Sequence, residues 1–233
     1  NGRGANGRLY PIKGEPIITG YDPGDANNAR VFMQAIWVND GGPEDVLKWR
    51  IFDEMVYTDQ HLSIDTKVRM YMERRLYWCR IMGERFSFVD VADAQAQTGY
   101  NRFNDLGYEA QQHETLSRQL INAKDSRYAA MAPITIICPS KTPGTVPERL
   151  KILRDLLLTE RLIVSRSCTR TIDMFAYLKK ETKRGGVEDD LRPKRSKHIH
   201  IFDAVTYPLL LWMQNGLTVM RSNEELSMCR LNI

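Results

Sequence analysis

Three carboxylates in this sequence stand in or beside apolar runs. Asp22 ends "IITGYD" and leads into Pro23 and Gly24; Asp90 lies within "FVDVAD"; Asp203 lies in "HIHIFDAVTY", after a basic stretch. A charge set among apolar neighbours is costly to desolvate unless something cationic meets it. The plain reading of Asp22 is that it starts a turn, since Asp with Pro-Gly is ordinary turn chemistry. The three acids together suggest more. Side by side they repel one another unless cations share the site, and Mg²⁺ or Mn²⁺ is the natural guest for oxygen ligands. Two such ions, about 3.5 to 4 Å apart, activate a water and stabilise the leaving oxygen of a phosphodiester. His200 precedes Asp203 by three residues, which puts both on one face of a helix. It is a metal ligand, a proton carrier for the attacking water, or a residue that merely caps and packs. Asp25 and Asp93, each three residues past a principal acid, are weaker candidates. Either they sit outside the first ring of ligands or they solvate turns, and the surface preference of Asp favours solvation.

Lys183, Arg184, Arg192, Lys194, Arg195 and Lys197 fall within fifteen residues. They form either a solvated loop that balances Glu188, Asp189 and Asp190 or a surface for phosphates. Their place directly before the Asp203 helix favours phosphate contact through Arg192, Lys194, Arg195 and Lys197, without base reading. Net charge, 33 − 29 = +4, is too mild to announce a nucleic-acid partner by itself.

These residues must be positioned by a core, and the composition provides one. With 42% hydrophobic and 27% charged residues the chain has an ordinary globular make-up, long enough for one large domain. No apolar run reaches the length of a membrane span and no signal-peptide pattern opens the sequence, so the expected compartment is the cytosol. Cys79, Cys138, Cys168 and Cys229 are scattered without zinc spacing, which points to reduced thiols. Residues 1–15 read as a loose lead-in and 16–233 as the domain. Strands are expected from Ile17 to Asp22, Val31 to Val38 and Trp49 to Tyr57, joined as an antiparallel meander. Val68, Met72, Leu76 and Cys79 mark a helix beginning near Asp65. A strand within Arg85 to Asp93 follows, so a crossover and a parallel pairing are implied. A mixed helical region to Lys124 comes next, then an interior strand from Ile134 to Cys138.

Thr145 and Glu148 form a capping box before a helix with Leu150, Leu153 and Leu157 on one face. "RLIVS" is a short strand or an extended link. Thr171 to Lys180 is helical with Ile172, Phe175 and Leu178 inward, and the last helix starts near His198, with Pro208 expected to kink or end its first part. The sum is an α/β fold: a mixed five-stranded sheet, a three-strand antiparallel meander followed by parallel strands, flanked by helices. Trp37, Trp49, Trp78 and Trp212 all read as core. No G-x-x-x-x-G-K-[ST] phosphate loop is present, and "PSKT" at 139–142 lacks the leading glycines.

With these pieces assembled, the chain resembles the C-terminal nuclease domain of the terminase large subunit, the DNA-packaging motor of tailed bacteriophages and related viruses. The matching stretches are "ITGYDPGDANNARV", "FVDVADA", "LKILRDLLLTERLIVSRSCTRTIDMFAYLKKE" and "RPKRSKHIHIFDAVTY", in the family's order from Pro16 to Trp212. The resemblance implies a ribonuclease H-like fold whose acids bind two Mg²⁺ or Mn²⁺ ions and cut concatemeric double-stranded viral DNA during packaging. It implies Asp22 and Asp90 as the first two metal ligands, with the third at His200 or Asp203. It also implies a packaging ATPase domain, a portal and a small terminase subunit as partners, no membrane, and the infected host's cytoplasm, transiently at the procapsid, as the place of action. Nothing here matches that ATPase domain, so the chain is expected to be the nuclease domain alone, without ATP turnover. Two other readings stay open. A DNA-gripping or portal-docking module would bind without cutting, and another ribonuclease H-like enzyme, such as a junction resolvase or transposase, would prefer branched substrates.

Overall fold

The computed structural model describes residues 6–23, 27–42, 44–93, 109–140, 145–178, 180–182, 188–193 and 198–216, with only the backbone course described for 180–182 and 188–193. Strand β1 (Ile17–Asp22) is buried along its whole length because it has strands on both sides and helices on both faces. The meander β1, β2 (Asn28–Val38) and β3 (Val46–Tyr57) is antiparallel, as expected. On the other side of β1 lies β4 (Phe88–Ala92), parallel to it, followed outward by β5 (Ile136–Ile137). At the far edge β6 (Leu162–Val164) pairs parallel with β3. The sheet order is β5-β4-β1-β2-β3-β6, six strands rather than five. The added strand is the "LIV" of "RLIVS"; three residues are too few to show a period of two. The charged stretch after Leu178 holds a separate antiparallel ribbon, β7 (Lys180–Thr182) with β8 (Glu188–Pro193).

Helix α1 (Ile64–Met82) and α2 (Glu109–Asn122) cover one face of the sheet. In α1 the Ser63 hydroxyl accepts from the Thr66 N–H at 3.2 Å, and Gly83, with φ 62°, closes the last turn. Val68, Met72 and Leu76 are buried as their spacing predicts. The opposite face carries α3 (Thr145–Leu158), α4 (Thr169–Tyr177) and α5 (Ile199–Asn215). Two expected stripes are rotated. In α3 the buried residues include Ile152, Leu153 and Leu156 while Leu157 is 43% exposed, and in α4 Thr171 and Met174 are buried while Ile172 is 41% exposed. Both helices carry apolar residues around more than one face, so several stripes can be drawn and only the packing partner selects one. Thr145 is already the first residue of α3, and the residues before it lie outside the described residues.

The lead-in is not loose where it is described. Leu9 is buried, its N–H donates to Ser165 Oγ at 3.0 Å, and the buried Gln34 amide bonds the backbone at Ile12 and Glu15. Five or six residues pinned by one distant amide leave no periodic signal. Of the tryptophans, Trp49 and Trp78 are core, whereas Trp37 on β2 is 54% exposed. Among the described residues no helix is long and apolar enough to cross a membrane.

Pro208 neither ends nor interrupts α5, which runs on to Asn215. Lacking an N–H, it leaves the Ala204 carbonyl without its usual helical donor. That carbonyl is turned into the sheet at Gly20 of β1. A Cβ on Gly20 would sit 1.7 Å from Ala204 O and 2.9 Å from Pro208 Cδ, so glycine is required there.

Candidate functional site

Parity along β1 decides which acids meet. Ile17 and Tyr21 belong to the core under α1, Ile18 to the core under α5. Successive side chains alternate, so Thr19 faces α1 and Asp22 faces α5. In the parallel ladder Thr19 pairs with Asp90 and Tyr21 with Ala92, and paired residues share a face. Asp90 therefore lies on the α1 side. One step beyond the last pair, Asp93 stands beside Asp22 on the α5 side. The structure gathers Asp22, Asp203 and His200, adds Asp93, and does not bring Asp90 to them.

At this rim His200 Nδ1 donates to Asp22 Oδ2 at 2.5 Å. Arg149 of α3 donates to Asp203 Oδ1 at 2.6 Å and to Thr206 Oγ1 at 3.2 Å. The Tyr207 hydroxyl donates to Asp93 Oδ2 at 2.8 Å. His200, Asp203, Thr206 and Tyr207 all come from α5, seated at Gly20 by the Ala204 carbonyl. Burial raises the Asp22 carboxyl, the His200 hydrogen bond pulls it down and Asp203 and Asp93 push it up again, to about 6 in all. The same hydrogen bond raises His200 above the usual histidine range. The Tyr207 phenol is raised by burial and then by Asp203, Asp22 and Asp93, which places all three acids in one electrostatic neighbourhood.

Asp90 lives differently. It is 1% exposed and meets Arg30 at 3.1 Å; Thr19 Oγ1 donates to it at 2.7 Å and the Tyr71 hydroxyl donates to the same oxygen. The Arg30 guanidinium lies over the Tyr71 and Tyr21 rings, 3.6 and 4.1 Å from their centroids. Next to this pair, Glu109 of α2 accepts from the Tyr21 hydroxyl at 2.5 Å and faces Lys67 at 3.6 Å and His113 at 3.4 Å. These charges are buried and matched.

From the sequence Asp93 reads only as a weaker candidate for which solvation is favoured, and Arg149 and Tyr207 are not singled out. A signal for Asp93 was present: it follows the last residue of its strand as Asp22 closes its own. Arg149 and Tyr207 have none, because each acts across a helix contact. Asp25, Lys183, Arg184, Lys194, Arg195 and Lys197 lie outside the described residues, and of Arg192 only the backbone, in β8, is described.

Three carboxylates and one imidazole form an oxygen-rich donor set that suits a hard divalent cation, and Asp203 and Asp93, which add to burial in raising Asp22, are charges that a cation would offset. By donor chemistry Mg²⁺ or Mn²⁺ fits. As the side chains stand, no three His, Cys, Asp or Glu among the described residues are gathered tightly enough to hold an ion, since Asp22, Asp93 and Asp203 each face a protein donor.

The sequence matches no protein-family model and no curated protein. Solved structures do match. The nuclease domain of the P22 large terminase superposes with a TM-score of 0.53 at 14% identity, covering 88% of this chain and 84% of that one. The large terminase nuclease of thermophilic phage G20c gives 0.50 at 12% identity, over 89% and 86% of the two chains. The large terminase of another thermophilic bacteriophage gives 0.52 at 14% identity; the match covers 86% of this chain and 40% of that longer one. At these identities the likeness is one of fold: a mixed sheet with an antiparallel meander and parallel strands between helices, the ribonuclease H-like fold of large-terminase nuclease domains.

Proposed function

We propose that this chain is a terminase-type nuclease domain: a metal-dependent endonuclease that cleaves concatemeric double-stranded viral DNA during genome packaging, largely without sequence preference. The observation that supports it is the gathering of Asp22, Asp93, Asp203 and His200 at one rim under α5, on a fold shared with such domains. These four residues would hold two Mg²⁺ or Mn²⁺ ions, with Asp93 taking the role the sequence suggested for Asp90. Bound there, the ions would supply Lewis-acid activation of water and charge neutralisation at the phosphate.

The chain's own groups do the rest. His200, hydrogen-bonded to Asp22 and raised above the usual histidine range chiefly by that bond, would carry a proton for the attacking water where it does not itself hold an ion. Arg149 fixes Asp203 toward the rim and offsets part of its charge; Tyr207 fixes Asp93. Arg192, Lys194, Arg195 and Lys197, placed along the chain directly before α5, would carry the DNA backbone to the rim. The packaging ATPase domain, portal and small terminase subunit are its proposed partners, and the host cytoplasm its place of action.

The deciding experiment is plasmid cleavage in Mg²⁺ and in Mn²⁺. Wild-type protein should nick and linearise; Asp93→Asn and Asp22→Asn should not. The donors already facing each acid favour a second reading, a DNA-gripping module, and DNA binding without cutting in either metal would establish it instead.

A further inference from the structure

At the opposite end of β1, by its N-terminus, the structure holds a cavity of about 710 Å³ between the last turns of α1, the 83–88 connection into β4 and residues 127–132 after α2. Its wall includes Arg75, which is 1% exposed. Among the described residues Arg75 faces no carboxylate within ion-pairing distance. Its Nη1 reaches only Met72 Sδ at 4.0 Å, its Nε has no partner, and its guanidinium lies 4.2 Å from the centre of the Phe88 ring. A ring face offsets part of the desolvation of a cation, but it leaves the guanidinium donors unused. Among the described residues the buried cations Arg30, Lys67 and Arg149 each meet an acid. Arg75 does not, and it borders a space that can hold one.

The rim repeats the sign. Arg80, Arg85 and Arg127 line the same cavity with Glu15 and Glu84; Arg127 is paired with Glu73, which leaves Arg75, Arg80 and Arg85 against the two glutamates. Glu84 Oε1 is engaged by the Gly14 N–H at 2.7 Å. Leu76, Phe86, Phe88 and Met131 make much of the remaining wall apolar, with Ser87 a polar exception.

We propose that this cavity is a binding site for a small organic phosphate: the phosphate meets Arg75 through its fork of N–H donors, as phosphates and guanidinium groups do, and an aromatic or aliphatic body rests against Phe88 and Leu76. The volume suits a ligand of that size. The site is separate from the carboxylate rim, which lies about 20 Å away, at the other end of a six-residue strand.

Phenyl phosphate and inorganic phosphate serve as probes, titrated into the protein at constant ionic strength while the melting temperature and the Arg75 Nε–H resonance are followed. Phenyl phosphate should give a saturable shift in both and bind more tightly than inorganic phosphate, and Asp22→Asn should leave the response unchanged. Arg75→Gln should weaken binding by at least about tenfold. If that variant does not fold, Arg80→Ala and Arg85→Ala, both at exposed positions, should each weaken it by about two- to fivefold. Equal responses in wild type and Arg75→Gln, an unmoved Arg75 resonance, or no effect of the two rim variants would overturn the proposal. So would displacement of phenyl phosphate by a short DNA duplex, which would make the cavity part of a DNA track.

Discussion

On the α1 face of the sheet, Asp90 meets Arg30 at 3.1 Å and Glu109 meets Lys67 at 3.6 Å, all four side chains nearly inaccessible. On the α5 face, three acids gather around Arg149 and a titrating His200, and Asp22 is driven up to about 6. The two groups lie on neighbouring strands. One is matched with buried cations within the fold, whereas the other crowds three acids together at a rim. An acid with a buried counter-charge is committed to structure; an acid crowded by other acids is available for a cation. The difference separates Asp90 from Asp93 more sharply than their positions in the same short motif do.

The largest expected effect breaks that comparison in function. Asp93→Asn should lower Mn²⁺-dependent plasmid cutting by more than about a hundredfold with little change in stability. Asp90→Asn should do the reverse, lowering unfolding free energy by about 3 to 5 kcal/mol because it strands Arg30 in the interior. Urea denaturation beside the cleavage assay measures both, and lost cutting by a stably folded Asp90→Asn protein would refute the division. Gly20→Ala comes next. Its Cβ has no room against the Ala204 carbonyl, so α5 must lift away, at a cost of at least about 3 kcal/mol. Circular dichroism melts read the loss.

A smaller effect lies in pH. Asp22 has a folded value of about 6 against an ordinary 3.8. A raised value means that the folded state favours the proton, so this group's contribution is fully present below about pH 4 and is lost as pH rises through about 6, on the order of 2 to 3 kcal/mol. His200, also raised, acts in the same direction as it deprotonates above the usual histidine range. Asp22→Asn should flatten the fall in melting temperature between about pH 4 and 6, and an unchanged slope would show that Asp22 is not the group concerned. The smallest effect is the metal's own. Mn²⁺ at pH 8 should raise the melting temperature of wild type by a few degrees, by mass action on the folded state, and that of Asp22→Asn by less.

The meander, the crossover into β4 and the order of the later helices were legible in the sequence because strand and helix periods differ. So were Asp22, Asp203 and His200, through an apolar strand that ends on a charge and an i, i+3 pair. Asp90 and Asp93 could not be sorted that way. Phe88 to Ala92 is covered on both faces, so apolar residues occupy both parities and alternation is lost; only the three-residue offset against β1 assigns each acid to a face. Arg149 and Tyr207 were out of reach for a related reason: their partners lie 54 and 114 residues away in the chain. Leu9 and Gln34 show the same limit in the lead-in, where a single buried amide fixes a segment whose own residues carry no pattern.

The contact between the Ala204 carbonyl and Gly20 has a consequence for how finely the rim is set. Asp203 is the residue just before that carbonyl, so a backbone oxygen lodged in a notch of the sheet fixes the rotation of α5 about its own axis as well as its depth. The azimuth of His200, Asp203 and Tyr207 is thus keyed to a void where a side chain would be and to the proton that Pro208 does not have. The charged groups at the rim are aimed by two positions, Gly20 and Pro208, that have nothing to ionise.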